Sequence, residues 1–327
     1  MKFKERAILL KELAFQPAVG HAGSYKRLYI GDEFCERRLP TPALLAKAVD
    51  WAAANGRKLT LVTPNLSDEG MQRLSELLEL LTGKEGGGSA SLNNSFAGPR
   101  PFETLAKKDG SASLNNSFAG PRPFEAPGES HGAKKDGFEV VVNDWGGLSV
   151  LNTSYKGRFR LILGRLLMPK CLSMTSGRDV FRDFLDFVSA RGITGLEFNT
   201  LPFSESLQSQ MAEYGLASHL YLPYRFMAVT RFCACANGYA LNYRDATRES
   251  KSGHARTPHC CNKGCIDHFS ILTGKLLGAD DKVWVKGNTW FVRHPEASFR
   301  DRSFTVDRVI NNAHSIDGSL WEYPKGK

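Results

Sequence analysis

Five of the seven cysteines in this 327-residue chain fall between Cys233 and Cys265. They form two groups, Arg231-Phe232-Cys233-Ala234-Cys235 and His259-Cys260-Cys261-Asn262-Lys263-Gly264-Cys265. An odd count in a long chain does not suit a secreted disulfide framework, so closely grouped thiols point to metal ligation or redox chemistry. Thiolates are soft donors, and the candidates are zinc and iron–sulfur clusters. Cys261-x-x-x-Cys265 has the spacing of one zinc knuckle, whereas Cys233-x-Cys235 is too tight for a good second one, leaving His254, His259 and His268 to fill gaps. An iron–sulfur cluster takes four thiolates and often draws one from far away in the sequence. Cys35, in Gly31-Asp32-Glu33-Phe34-Cys35-Glu36-Arg37-Arg38, is such a distant thiol, while Cys171 reads as a buried or incidental one. The spacings alone leave both metals open.

Four other residues stand where chemistry is expected. Asn143 and Asp144 end a short apolar run, and such a pair can bind a substrate hydroxyl or carbonyl, or equally form a turn that caps the next helix. Glu197 closes the run TGLEF, the place where a barrel strand would aim a carboxylate into a site; a surface or salt-bridged Glu is the competing reading. Arg231, two residues before Cys233, is placed to pair with an anionic substrate or to tune a bound metal, against the plain reading of a solvated arginine. Gly164-Arg165 beside Pro169-Lys170 is a weaker candidate anion site.

The elements that must position these residues follow from apolar periodicity. Strands are expected at 27–30, 58–62, 138–142, 159–163, 194–198 and 217–222, and helices at 42–55, 67–81, 179–191 and 204–214. Ser67, with Gly70 beyond it, suits a helix start, since its hydroxyl can cap a free backbone N–H. Strands alternating with helices imply a mainly parallel sheet, and the number of units favours a TIM-barrel-like α/β fold over an open doubly wound sheet. Loops at the C-terminal strand ends then converge on one face, where a cysteine after an early strand meets cysteines after a late one. Beyond residue 224 the pattern becomes irregular, apart from a hairpin whose strands 283–285 and 289–292 flank Lys286-Gly287-Asn288. The chain therefore divides into a first barrel part (1–83), an insert (84–137), the remainder of the barrel (138–224) and a cysteine-rich basic region packed on it (225–327).

The insert carries an internal repeat. GSASLNNSFAGPRPFE runs from Gly88 to Glu103 and again, unchanged, from Gly110 to Glu125. Two copies are too few for a solenoid, and a Gly/Ser/Asn/Pro/Lys composition with isolated Phe does not offset the entropy of ordering, so disorder is expected. Without these 54 residues, 327 − 54 = 273 remain, the size of one barrel.

Composition narrows the function classes. Apolar residues at 42% and charged residues at 24% exclude a fibrous or wholly disordered chain. Arg165 interrupts the best apolar run, so no membrane span is expected, and the apolar stretch at 7–10 is too short for a signal peptide, which implies a cytoplasmic protein. The formal net charge is +9, and residues 225–300 hold 12 Lys/Arg against 6 Asp/Glu, so much of the excess surrounds the cysteines. Basic residues near aromatics also admit an RNA partner, although no RNA-binding signature such as that of an RRM is present.

Taken in order, Gly31-Asp32-x-x-Cys35-x-Arg37-Arg38, Asn143-Asp144-x-Gly146, Arg231-x-Cys233, Cys261-x-x-x-Cys265 and Thr273-Gly274-Lys275-Leu276-Leu277 resemble the collagenase-like peptidase family U32, closest to its UbiV-like iron–sulfur branch. The resemblance spans most of the chain outside the insert and the termini. It implies a barrel-type fold and a [4Fe–4S] cluster with Cys35, Cys233, Cys261 and Cys265 as ligands, Cys235 and Cys260 being near-neighbour alternatives. It further implies oxygen-independent hydroxylation or ubiquinone-type cofactor biosynthesis on a small-molecule substrate, together with a related subunit of the same family as heterodimer partner. Relatives that resemble tRNA or rRNA hydroxylation factors make RNA an alternative substrate, and a non-catalytic zinc-knuckle binding protein is the third reading. Peptidase-like members carry a His-Gly pair before the cysteines; here the stretch reads His219-Leu220-Tyr221-Leu222-Pro223-Tyr224, so direct proteolysis is not expected.

Overall fold

The structure, a computed structural model, describes residues 2–10, 25–83, 138–168, 178–200, 205–229, 233, 270–273, 282–294 and 305–316. Residues 84–136 separate from the remainder as a second unit, and the expected insert lies outside the described residues.

Eight parallel strands close into a barrel. In chain order they are β1 (Lys2–Leu9), β2 (Arg27–Gly31), β3 (Lys58–Val62), β4 (Glu139–Val142), β5 (Arg160–Leu163), β6 (Ile193–Phe198), β7 (Ala217–Leu222) and, after four further strands, β12 (Thr305–Asn311). The order around the barrel is β1-β12-β7-β6-β5-β4-β3-β2. Helices α1 (Pro42–Ala54), α2 (Asp68–Leu81), α3 (Trp145–Ser154), α4 (Arg178–Ser189) and α5 (Glu205–Glu213) connect successive strands, which makes this a TIM-barrel-like α/β fold. The remaining strands β8 (Tyr224–Val229), β9 (Ser270–Thr273), β10 (Lys282–Lys286) and β11 (Thr289–Arg293) form a four-stranded antiparallel sheet in the order β8-β11-β10-β9. A short helix α6 (Ala313–Ile316) follows β12.

Local chemistry explains the element ends. Thr41 caps α1 by accepting from the Leu44 N–H, with Pro42 preset for the first helical position. Ser67 caps α2 by accepting from Gly70, as its position in the sequence suggests. In the expected hairpin, Gly287 turns the chain between β10 and β11 with φ +61°.

Three elements differ from the sequence reading. Lys2–Leu9 is a barrel strand, so Cys35 follows the second strand and not the first. Its first half, Lys2-Phe3-Lys4-Glu5, is mostly charged, and Glu5 faces Arg27 and Arg308 at the inside of the barrel, which hides the strand from an apolar count. Thr305–Asn311 likewise carries a charge in mid-strand, yet it pairs with both β7 and β1, so the barrel does not end at 224. Helix α3 forms despite Gly146 and Gly147, because Asp144 caps it and Leu148 and Leu151 are buried under it.

Strand alternation sorts the core into two shells. Outward residues such as Leu28, Leu61, Val140, Leu163 and Leu196 pack under the helices with Leu45, Leu74 and Leu185. Inward residues Ala7, Leu9, Tyr29, Val62, Val141, Ile162, Tyr221 and Ile310 fill the lumen. Below them Glu139, fully buried, takes both terminal nitrogens of Arg308, while Glu5 takes Nε of Arg308 and Nε of Arg27. Thr60 donates to Glu139 at 2.8 Å and Tyr29 Oη accepts from Arg308 at 2.7 Å, so each buried charge has partners. Burial opposes the charged form of Glu139, but Arg308 and Arg27 outweigh it and hold the carboxyl down at about 2.

Candidate functional site

The C-terminal strand ends hold a small pocket. Its walls come from the end of β1 (Leu9), the loop after β2 (Asp32 to Cys35, with Arg38), the loop after β5 (Arg165), Asn312 beyond β12, and the β10–β11 hairpin (Lys286 to Thr289). Cys233, beyond β8, lines it as well. Two thiols far apart in the sequence, Cys35 and Cys233, thus face one cavity at the barrel mouth, which the small sheet overhangs.

The loop that carries Cys35 is built by its neighbours. Gly31 ends β2 at φ +113°, and a side chain there would run into the Val62 carbonyl of β3, so only glycine lets the chain turn so close to the next strand. Asp32 Oδ1 then accepts from the backbone N–H groups of Phe34 and Cys35, both at 2.8 Å. Its other oxygen pairs with Arg38 Nη1 at 2.8 Å, and both side chains are nearly buried. Glu36 reaches across to accept from the N–H and hydroxyl of Ser67 at 2.7 Å, tying the loop to the start of α2. The Gly31-Asp32-x-x-Cys35-x-Arg37-Arg38 motif is therefore a rigid mount for one thiol: glycine for the turn, aspartate for the loop amides, Arg38 for the aspartate.

Arg165 forms the second wall. Its Nε and Nη2 clamp the buried Glu33, at 2.9 Å and 2.6 Å to Oε2, and Nη1 reaches Asn199 Oδ1 at 3.2 Å. The guanidinium lies 3.8 Å over the Tyr221 ring and within 5.5 Å of Phe34 and 5.3 Å of Phe226. Phe34 also packs edge-on to Phe226 and Phe291, so aromatic rings from the β2 loop and the small sheet seal the cavity side. The small sheet is latched to the barrel by side-chain amides. Asn199 both donates to and accepts from the Phe226 backbone, Asn312 does the same at Tyr224, and Asn288 donates to the Phe34 carbonyl. The Lys286 ammonium is buried at the pocket and donates to the Ile316 carbonyl at 3.5 Å.

The other residues singled out from the sequence lie in different settings. Asn143 is buried, donates to the Thr63 carbonyl and accepts from the Leu166 N–H, so its amide braces the loops after β3 and β5. Asp144 caps α3, accepting from Gly147 at 2.9 Å. Neither lines the pocket. Glu197 is fully buried in the lumen, where Tyr221 donates to its Oε2 at 2.9 Å. Burial, and next the charge of Glu33, push the Glu197 carboxyl well above the usual carboxylate range. Arg231, Cys261, Cys265, Cys235, Cys260 and Cys171 lie outside the described residues. Among the described residues no group of three or more His, Cys, Asp or Glu is gathered for a metal. What they bring to one place is a pair of thiols beside buried cations.

Sequence reading passed over Asp32, Glu33 and Lys286 and rated Arg165 only weakly. A Gly-Asp pair directly after an apolar run was the available signal for Asp32. No local signal marks Glu33 or Lys286, because Glu33 depends on Arg165, 132 residues away, and Lys286 on the Ile316 carbonyl of α6.

Fold and site together define a TIM-barrel-like α/β protein with a two-thiol pocket at the barrel mouth. No protein-family model matches the chain, and no curated protein matches its sequence. A solved structure of a U32 peptidase, Mk0906, is similar over 71% of this chain and 72% of its own, at 13% identity and a TM-score of 0.37. Among the described residues no helix is long and apolar enough to cross a membrane.

Proposed function

We propose that this chain is an iron–sulfur protein in which Cys35 and Cys233 hold a [4Fe–4S] cluster together with Cys261 and Cys265. Its role in this reading is oxygen-independent hydroxylation or a related step of ubiquinone-type cofactor biosynthesis, alongside a related subunit. One observation carries the first part: Cys35 and Cys233 line the same pocket at the C-terminal strand ends. The wall chemistry fits the group. Four thiolates around such a cluster leave it with net negative charge, and a buried ammonium, Lys286, stands in the same wall. Phe34 and Phe291 line the pocket as well and limit water, which favours a redox centre over a hydrolytic one.

When bound, a cluster ligated by four thiolates supplies one-electron transfer. The chain's own residues do the rest. Asp32 fixes the backbone at Cys35, Arg38 holds Asp32 in place, and the Glu33–Arg165 pair keeps the opposite wall rigid. Four protein thiolates leave no open iron position, so substrate binds beside the cluster in this reading and not on it.

Anaerobic purification followed by iron, sulfide and zinc analysis tests the proposal. Iron and sulfide in cluster stoichiometry are expected; stoichiometric zinc without sulfide overturns the assignment in favour of a zinc knuckle. Cys35→Ala is expected to abolish the cluster, and a cluster unchanged in that variant removes the long-range ligand. For the biosynthetic role, a gene deletion is expected to block a hydroxylation only in cells grown without oxygen. Loss of a modified nucleotide instead of a small-molecule product moves the substrate to RNA.

A further inference from the structure

Charge is distributed unevenly around the pocket. Its charged lining residues are Asp32, Glu33, Arg38, Arg165 and Lys286. Asp32 pairs with Arg38 at 2.8 Å and Glu33 with Arg165 at 2.6 Å, so each of these couples is neutral as a whole. Lys286 gives the lining a net positive charge, and it is only 4% exposed. A charge at that depth is screened far less by water and salt than one on the surface.

The hairpin that carries this ammonium is fastened to the loop that carries Cys35. Lys286 ends β10, and Gly287 turns the chain back into β11. Asn288, in the same turn, donates to the carbonyl of Phe34, the residue before Cys35, at 3.1 Å. Phe291, on β11, packs edge-on against the Phe34 ring. Lys286 Nζ itself donates to the Ile316 carbonyl at 3.5 Å, and Ile316 lines the pocket together with Cys35 and Cys233. We propose, on the iron–sulfur reading of this site, that Lys286 sets the reduction potential of the cluster held by Cys35 and Cys233, its ammonium favouring the reduced state. Reduction adds one electron from a one-electron donor, and Lys286 keeps its proton and makes no bond. Its fixed positive charge lowers the energy of the added electron across a poorly screened wall. Arg38 and Arg165 contribute less, because Asp32 and Glu33 oppose them at close range.

An anaerobic redox titration of the full chain with its cluster, using dithionite and read by electron paramagnetic resonance, measures the effect. Lys286→Gln keeps a donor for the Ile316 carbonyl and removes the charge. The ratio of reduced to oxidised cluster at a given potential should fall about tenfold, a shift of about 59 mV to lower potential for a one-electron couple. Lys286→Arg should restore most of it, and a fall equal to that of the glutamine variant refutes an effect of charge. Asn288→Ala, which unfastens the hairpin from Phe34, should lower the potential in the same direction; it supplies the reading if the glutamine variant assembles no cluster. Lys26→Gln, exposed at the opposite end of the barrel, should leave the potential unchanged. Iron and sulfide analysis of each sample separates the two ideas. A wild-type chain that binds no cluster overturns the iron–sulfur reading and this role with it. A full cluster whose potential stays put in Lys286→Gln and in Asn288→Ala overturns the role of Lys286 alone.

Discussion

Asp32→Ala removes the group on which the position of Cys35 depends. The carboxylate accepts two backbone N–H groups at 2.8 Å through one oxygen and pairs with Arg38 at 2.8 Å through the other. With both side chains at 8% exposure or less, truncation takes the Asp32 carboxylate away from Arg38 and from the two loop amides it accepts from. Breaking one side of a buried pair costs about 3–5 kcal/mol, and the stranded amides account for about 1–3 kcal/mol of it. Asp32→Asn separates the two contributions, because its side-chain oxygen still accepts from Phe34 and Cys35 while the charge opposite Arg38 is lost. Urea denaturation gives the stability, and alkylation by iodoacetamide, read by peptide mapping, gives the accessibility of the Cys35 thiol. The expected result is a loss of about 3–5 kcal/mol in the alanine variant. The asparagine variant should lose less, and Cys35 alkylation should rise at least about tenfold in the alanine variant alone, a ratio equivalent to about 1.4 kcal/mol of loop opening. Equal losses in the two variants, or unchanged alkylation in Asp32→Ala, would refute the reasoning that the aspartate mounts the thiol.

Glu139 sets an acid limit on stability. Its folded pKa of about 2 lies below the 4.5 of the unfolded chain, so its contribution is complete above pH 4.5 and disappears as pH falls through 2. A shift of that size is worth about 3 kcal/mol, measured as the drop in urea midpoint across this window, and a flat midpoint counts against the buried ion network. Glu197 acts with the opposite sign: its raised pKa gives stability that is full below pH 4.5 and declines as pH rises toward the folded value, a slope that Glu197→Gln should flatten. Arg165→Met strands Glu33 and is expected to cost about 3–5 kcal/mol, whereas Arg165→Met with Glu33→Gln should recover part of that loss, as a double-mutant cycle in thermal or urea denaturation will show.

Periodicity shows a strand or helix wherever one face is apolar and the other polar, which is why β2 to β7 and α1, α2, α4 and α5 were legible. It fails where the buried face is itself charged. β1 and β12 present Glu5 and Arg308 to the lumen, and each reads as surface until the other is placed beside it. The same limit governed the site. Cys35 could be singled out because a thiol is rare and its chemistry is intrinsic, but the residues that aim it are ordinary ones whose meaning is relational. Asp32 is a turn former in any sequence, and Arg38 becomes its clamp only when the loop closes. Glu197 shows the reverse case. The strand-end position predicts a carboxylate aimed into the barrel, but that Arg165 serves Glu33 while Tyr221 donates to Glu197 is decided only once the loops have met. Residue types thus announce the chemistry available to the chain, while the pairing of buried charges decides which groups remain unmatched. In this barrel Glu197 Oε1 is such a group among the described residues. Glu33→Gln removes the charge that, after burial, most raises the Glu197 carboxyl, so in that variant the fall of the urea midpoint with rising pH that Glu197 causes should be weaker.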